Sequence, residues 1–287
     1  SFLRNTKRAE LVSLVRAEVL RDRWHDAGGV LAIGTKAVVQ KIFEDAGQSF
    51  KSMNSRQIAD FMRATPLHGA RWLWFGPSSL GLNTWQDFGT AIVIGREELP
   101  LTALQDYARS MFGDTGEPLD LISEAEGSNM PEAALPYLMA DGSGAAVKAR
   151  AHPDRRARAL QEQGRELATR QGFERLRLAT AEKRKRVVLV CKVPIPGLPV
   201  DRLVTMQELA PDRLEAAMAE AAQRGGVLRV SAAGLAQDAP ETFPTAEAAK
   251  DWLRREGKAR VNGGMPLIRY TISGAPPLKP VRVRLKV

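Results

Sequence analysis

Three side chains suited to binding phosphate lie in one short segment near the middle of the chain, at Gln171, Arg175 and Arg177. An arginine guanidinium stays protonated at physiological pH and can donate two parallel hydrogen bonds to phosphate oxygens. An arginine finger needs these properties when it stabilises a phosphoryl group during transfer. The simpler interpretation is that these polar side chains reach solvent where a helix leaves a sheet.

The helix that must position these side chains is predicted to begin after Asp154, which can cap its first turn. Small and apolar residues recur along it at the spacing of one helix face, at Leu160, Gly164, Leu167 and Ala168. We expect this face to lie on a sheet. Its next positions are Gln171 and Arg175. Since burying these two without partners is costly, we expect the end of the helix to overhang a cleft or a second domain.

Short apolar runs alternate with helical patterns through the first two thirds of the chain. The runs are VLAIG (30–34), RWLWFG (71–76), TAIVIG (90–95) and RVVLVC (186–191). Runs of this kind are typical of parallel strands covered on both faces, so we predict an α/β fold, a largely parallel sheet flanked by helices. Ligands bind at the carboxyl ends of such strands. These ends carry Gly34-Thr35-Lys36, Gly76-Pro77-Ser78-Ser79 and Gly95-Arg96.

The chain divides into three expected units. Residues 1–24 form an amphipathic helix that docks on the main body, and residues 25–200 form the α/β domain. Residues 201–287 form a small, mostly helical module that ends in a basic, alternating tail. This module is either a plain helical appendage with a tail strand or a winged-helix module, which would suit nucleic acid.

Positive charge is concentrated in two blocks. Residues 148–186 contain thirteen Lys and Arg against five Asp and Glu, and residues 254–287 contain nine against one. Residues 97–141 are acidic, with Arg109 as their one basic side chain. Two basic blocks separated by an acidic one suggest surfaces that face polyanions, such as nucleic acid or nucleotide phosphates. Basic helices that are merely solvated on one face are the alternative.

Other residue types exclude several classes of protein. The single cysteine, Cys191, excludes an internal disulfide, and its apolar surroundings predict a buried thiol. The three histidines are isolated from one another, which argues against a zinc site, and we expect no metal bound by this chain alone. No apolar run is long enough to span a bilayer, so we expect a cytoplasmic protein with no membrane partner.

The order of these motifs resembles the second RecA-like domain of superfamily 2 helicases, over residues 25–200. It is most similar to the C-terminal half of the large helicase-like replication proteins of bacterial plasmids and phages. The segment QGFERLR (171–177) resembles motif VI, SSLGLNTW (78–85) followed by AIVIGR resembles motif V, and VLAIGTKAVVQK resembles the opening strand and helix. Glu174 stands where the family usually has Gly, and Leu80 where an Arg often precedes the Gly.

The resemblance implies a role for each matched position. Gln171 would contact the nucleotide, and Arg175 or Arg177 would be the catalytic arginine finger. The nucleic-acid path would be lined by Thr35, Lys36, Ser79, Gly81, Asn83 and Arg96. DNA is favoured over RNA as the partner.

A phosphate-binding loop of the form G-x-x-x-x-G-K-[ST] is absent from the sequence. ATP and Mg²⁺ would therefore be bound only with an upstream phosphate-loop domain of the same native protein, and this chain alone would be inactive. The chain begins with Ser1, as expected for a processed chain or a piece of a longer motor.

Two other functions stay open at this point. The first is a stand-alone nucleic-acid-binding protein whose basic blocks bind phosphates without turnover. The second is an α/β enzyme with a small-molecule site at the strand ends, using Thr35, Ser78 or Ser79. No Ser/His/Asp order and no dinucleotide-type glycine fingerprint supports this last function.

Overall fold

The computed structural model describes residues 7–76, 84–123, 130–224 and 227–257, together with the short strands at 268–269 and 282–284. The helices are α1 Arg8–Trp24, α2 Lys36–Asp45, α3 Ser55–Ala64, α4 Leu101–Phe112, α5 Arg155–Glu162, α6 Ala168–Phe173, α7 Met206–Leu209, α8 Arg213–Arg224, α9 Ala232–Asp238 and α10 Ala246–Trp252. The strands are β1 Val30–Gly34, β2 Arg71–Trp74, β3 Thr90–Ile94, β4 Glu132–Leu138, β5 Gly144–Arg150, β6 Arg186–Val190, β7 Leu228–Arg229, β8 Ile268–Arg269 and β9 Arg282–Arg284.

The central sheet has four strands in the order β2-β1-β3-β6, and all of its pairings are parallel. Gly34 pairs with both Trp74 and Ile94, and Ile94 pairs with Val190, so the four carboxyl ends lie together at one edge. Every residue of β1 and β3 is buried, as expected for strands that are apolar on both faces. This confirms the predicted α/β class with a parallel sheet.

Helices cover both faces of the sheet. Apolar residues of α1, α2 and α3 form one core with Ala32, Trp72 and Ile92 of the strands. Phe173 and Leu176 form the core on the other face, with alternate strand residues that include Ile33. The alternation along each strand follows from its period of two residues, which directs successive side chains to opposite faces.

The helical segment at residues 155–173 begins with the Asp154 cap that the sequence predicts. The Asp154 carboxylate accepts hydrogen bonds from the backbone N–H groups of Arg156 and Ala157. A π-type turn at Gln163–Leu167 then interrupts the regular helix before α6. Because this turn is wider than an α turn, side chains after it are displaced around the helix axis.

The π turn makes the predicted sheet-facing stripe wrong. Leu160 is buried, but Leu167 is 43% exposed and Gln171 is exposed. The residues that do point inward are Ala157, Leu160, Gln161, Arg165, Glu166, Thr169 and Phe173. The buried side chains in the middle of the segment are therefore mostly polar, and the buried side chain at its end, Phe173, is apolar.

The C-terminal module has its own apolar core, which includes Leu214, Leu235, Phe243 and Trp252. Three helices, α8, α9 and α10, surround this core, and β7, β9 and β8 pair antiparallel in that order. Helix α1 packs both against the central sheet and against α8. The expected amphipathic N-terminal helix thus contacts both other units.

Candidate functional site

The carboxyl edge of the sheet carries three of the residues expected to bind nucleic acid. Thr35 follows β1 and occupies the N-cap position of α2, but its hydroxyl makes no capping hydrogen bond. Lys36 is exposed, and its Nζ donates a hydrogen bond to Ser55 Oγ at 2.7 Å. The same Nζ lies 5.5 Å from the centre of a Trp74 ring, within range of a cation–π contact. Lys36 is therefore oriented but still accessible.

Arg96 lies at the same edge, directly after β3 and Gly95. Its Nε and Nη2 lie 3.2 and 3.1 Å from one carboxylate oxygen of Glu98, and both side chains are about a quarter exposed, at 26% and 28%. The other Glu98 oxygen accepts hydrogen bonds from Arg165 Nη1 and Gln161 Nε2, each at 3.3 Å. Glu98 thus forms hydrogen bonds both with Arg96 at the surface and with the buried side chains of Arg165 and Gln161.

Arg165 and Glu166 form a buried ion pair in the π turn, and the sequence did not indicate it. Their side chains are 1% and 3% exposed, and Arg165 Nη2 donates to Glu166 Oε1 at 2.6 Å. Arg165 Nη1 also donates to the backbone oxygen of Arg150 at 2.7 Å. Burial raises the pKa of Glu166, and the contacts with Arg165 oppose that rise. An adjacent Arg and Glu in a charged helix give no signal that both are buried.

Cys191 follows β6 near these residues. It is half-buried, so the expectation of a fully buried core thiol was only partly right. Burial raises the pKa of its thiol, while the positive charges of Arg96 and Arg165 act in the opposite direction. Cys191 is therefore a protonated thiol at neutral pH.

Arg177 lies at the opposite, amino edge of the sheet. It lines an open groove of about 680 Å³ together with residues that precede β1, β3 and β6. The basic side chains of this groove are His25, Arg177, Lys183, Arg184 and Lys185, and its acidic ones are Asp26, Asp87 and Glu182. Lys185 has a structural role, because its Nζ donates to the backbone oxygens of Leu176 and Gln86. The other basic groups border an open space.

The backbone at Arg177 is in the left-handed region, with φ 55° and ψ 51°. Few residues other than glycine adopt this conformation, and it ends the short 3-10 turn Glu174–Leu176. Arg175, two residues earlier, is half-buried. Burial lowers the pKa of Arg175, and the nearby charge of Arg177 lowers it further. The two guanidinium groups are therefore close enough to repel each other.

Gln171 and Glu174 lie on the last turns of the same segment. Gln171 is exposed, and the neighbouring Gly172 passes over the side chains of Ile33 and Phe75. The Glu174 carboxylate lies 3.7 Å from Arg170 Nε, one helical turn back. This contact gives the acidic residue at position 174 a partner of opposite charge.

The structure therefore divides the candidate residues between two edges. Thr35, Lys36 and Arg96 lie at the carboxyl edge, whereas Arg177 lies at the amino edge with Arg175 beside it. Ser79, Gly81 and Asn83, with Ser78 and Leu80, fall outside the described residues. The strand length of five residues separates the two edges by roughly 15 Å.

Within the described residues, no group of three or more His, Cys, Asp or Glu side chains is arranged to hold a metal ion. In the same part of the chain, no helix combines the length and apolar character needed to cross a bilayer. No protein-family model, curated protein or solved structure matches the sequence or the fold of this chain.

Proposed function

We propose that this chain is the C-terminal motor-domain portion of an NTP-dependent nucleic-acid helicase or translocase, of the type found in plasmid and phage replication. The observation that carries the proposal is that the candidate cationic residues form two groups at opposite edges of one parallel sheet. A motor of this kind must bind a nucleotide and a nucleic-acid strand at the same time. Two separated cationic groups on a rigid sheet meet this requirement.

The nucleotide side consists of Arg175 and Arg177, with Gln171 on the preceding helix. ATP and Mg²⁺ would be held by an upstream phosphate-loop domain of the same native protein, facing these residues. Arg177 opens onto the groove at the amino edge, where its guanidinium can donate to phosphate oxygens. The Mg²⁺ ion would come with the nucleotide.

The nucleic-acid side consists of Thr35, Lys36 and Arg96, with Ser79, Gly81 and Asn83 assigned to it by the resemblance alone. The N-terminus of α2, where Thr35 makes no side-chain capping hydrogen bond, lies at the same edge, and helix N-termini attract phosphate. Both features favour contacts with a sugar-phosphate backbone, which position a strand without reading its sequence.

A nucleic-acid-binding protein without catalytic activity is the second candidate. The observation that favours it is the basic loop at residues 183–185, whose three side chains line the open groove. Lys185 has a structural role, because its Nζ donates to two backbone oxygens. Lys183 and Arg184 are the two that face the groove as candidate phosphate-binding groups. In this case Arg177 would belong to a phosphate-binding surface for nucleic acid and would not meet a nucleotide.

Binding of labelled single-stranded DNA across a salt series separates the two candidates. Two double variants are compared with the unaltered chain, Arg175→Ala/Arg177→Ala and Lys36→Ala/Arg96→Ala. If the motor proposal is right, Lys36→Ala/Arg96→Ala should lower both the affinity for single-stranded DNA and the dependence of that affinity on salt, because each phosphate contact contributes to the salt slope. Arg175→Ala/Arg177→Ala should change both little. A loss confined to the Arg175→Ala/Arg177→Ala variant would instead support the second candidate.

The motor proposal has a further test in the native protein with its phosphate-loop domain. Removing an arginine finger lowers turnover by about a thousandfold or more. We expect Arg175→Ala or Arg177→Ala to lower NTP hydrolysis by this order while the affinity for DNA is kept. A native protein without such a domain would contradict the proposal.

A further inference from the structure

A second open cleft lies where the C-terminal module meets the rest of the chain. Its volume is about 770 Å³, which is within the range of small-molecule sites, and such sites occur preferentially where two units of a protein meet. One wall comes from α1, α2 and the turn at His68, and the other comes from α8 and residues 241–242. The cleft shares no lining residue with the groove at the amino edge of the sheet.

Part of the lining of this cleft is apolar. The apolar side chains come from α1, α2 and α8, and they are Ala9, Val12, Ile42, Ala46 and Ala216. Because most of them are alanine, the three helices leave space between their side chains. Covering these side chains with the apolar part of a ligand would remove apolar surface from water, which is favourable.

Most of the charged groups in the cleft pair with one another and hold its walls together. Arg8 pairs with Asp45, which joins α1 to α2. Arg16 pairs with Glu241 at 2.5 Å, which joins α1 to the C-terminal module. Arg16 Nη2 also donates to His68 Nδ1 at 3.0 Å. These groups therefore have a structural role at the boundary between the two units.

Arg213 differs from these groups because its described contacts include no carboxylate. Its guanidinium carbon lies 4.6 Å from the centre of the Phe243 ring, and its Nη2 donates to the backbone oxygen of Thr242 at 3.2 Å. The side chain is thus oriented, yet it is exposed and lines the cleft. A guanidinium held in this way can donate two parallel hydrogen bonds to one carboxylate.

We propose that this cleft binds a small organic anion with an apolar body, of the class of medium-chain carboxylates. The carboxylate contacts Arg213, and the apolar chain covers Val12 and Ala216. This site goes beyond the motor function proposed above and does not depend on it. Because the two walls belong to different units, the bound anion stabilises the docking of the C-terminal module and raises the thermal stability of the chain.

The test titrates hexanoate into the full chain by isothermal titration calorimetry, with acetate and 1-hexanol as comparison ligands. Acetate lacks the apolar body and 1-hexanol lacks the charge, so we expect hexanoate to bind about tenfold or more tightly than either. Arg213→Ala should weaken hexanoate binding by about tenfold or more, because it removes hydrogen bonds between charged groups. Ala216→Leu should also weaken it, because the larger side chain fills the apolar part of the cleft without a change of charge.

The matched control is Arg254→Ala, which removes an exposed arginine of the same module that does not line the cleft and pairs with Asp251. This control should bind hexanoate like the unaltered chain, and thermal melting without ligand checks that each variant folds. Hexanoate should raise the melting temperature of the unaltered chain and of Arg254→Ala, but not that of Arg213→Ala.

Hexanoate binding that is unchanged in Arg213→Ala or in Ala216→Leu would place the anion elsewhere and overturn the proposal. Absence of binding at millimolar hexanoate would overturn it too. Equal affinities for hexanoate and 1-hexanol would show that the charge is not recognised, which would also overturn it. None of these outcomes bears on the motor function, whose failure would appear as a loss of single-strand binding at the sheet edge.

Discussion

Arg165 and Glu166 are neighbours in the sequence and form an ion pair whose two side chains are both almost entirely buried. Removing one partner of such a pair leaves an uncompensated buried charge, which costs about 3–5 kcal/mol. We therefore expect Arg165→Ala to lower the free energy of unfolding by this amount, measured by urea denaturation.

The exposed pair Arg170–Glu174 offers a control on the same helical segment. Arg170 is 45% exposed, and surface pairs of this kind contribute at most about 1 kcal/mol. Arg170→Ala should therefore leave the unfolding midpoint nearly unchanged. If Arg165→Ala and Arg170→Ala lowered the free energy of unfolding equally, the burial of Arg165 would not be the cause of the loss.

The contact between Glu98 and Arg96 leads to a prediction about single-strand binding. Glu98 accepts hydrogen bonds from the arginine that the motor proposal assigns to phosphate, so a bound strand must compete with its carboxylate. Glu98→Gln keeps an acceptor for Arg165 but removes this charge. We expect about a two- to fivefold gain in affinity for single-stranded DNA, the size of a partly exposed ion pair.

Glu97→Gln is the matched control for this measurement, because it changes the net charge equally at the neighbouring, exposed position. The gain from Glu98→Gln should exceed that from Glu97→Gln and should vanish when Arg96→Ala is added. Equal gains in the two single variants would indicate a general charge effect instead of competition for Arg96.

His68 makes the stability of the protein depend on pH. Burial and the nearby charge of Arg16 lower the pKa of His68 to about 4, against an ordinary value near 6.5. Between these two values the unfolded chain binds a proton that the folded chain does not. Stability is therefore fully present above about pH 6.5 and falls as the pH drops towards 4.

A His68→Asn variant should flatten this pH dependence. His68 has a φ of 54°, a conformation that asparagine tolerates better than most residues, so the backbone should be retained. The measurement is chemical denaturation of both proteins across this pH range. An unchanged slope in the variant would assign the pH dependence to other groups.

The sequence was a good guide to the strands and helices of the central domain. Continuous apolar runs specify β1 and β3 because both faces of these strands are covered. Buried apolar residues recur at helical spacing in α2 and α3. These elements depend on local patterns, which a single sequence contains.

The site was harder to predict because it depends on non-local geometry. The apolar stripe was extrapolated past residue 163 with the α-helical period, and the π turn invalidates that period. Arg96 follows β3 and Arg177 precedes β6, so the parallel pairing of these two strands places the two arginines at opposite edges of the sheet. Strands of two residues, such as β7, are too short to leave a pattern.

Helix α1 contacts both the central sheet and α8, and this has a practical consequence for producing parts of the protein. A fragment that starts after Trp24 would expose to water the apolar surfaces that Leu11, Val15 and Val19 cover. Exposed surfaces of this kind promote aggregation. Recombinant versions of either the sheet domain or the C-terminal module should therefore be tested for solubility with and without residues 8–24, and the longer versions should yield more monomeric protein.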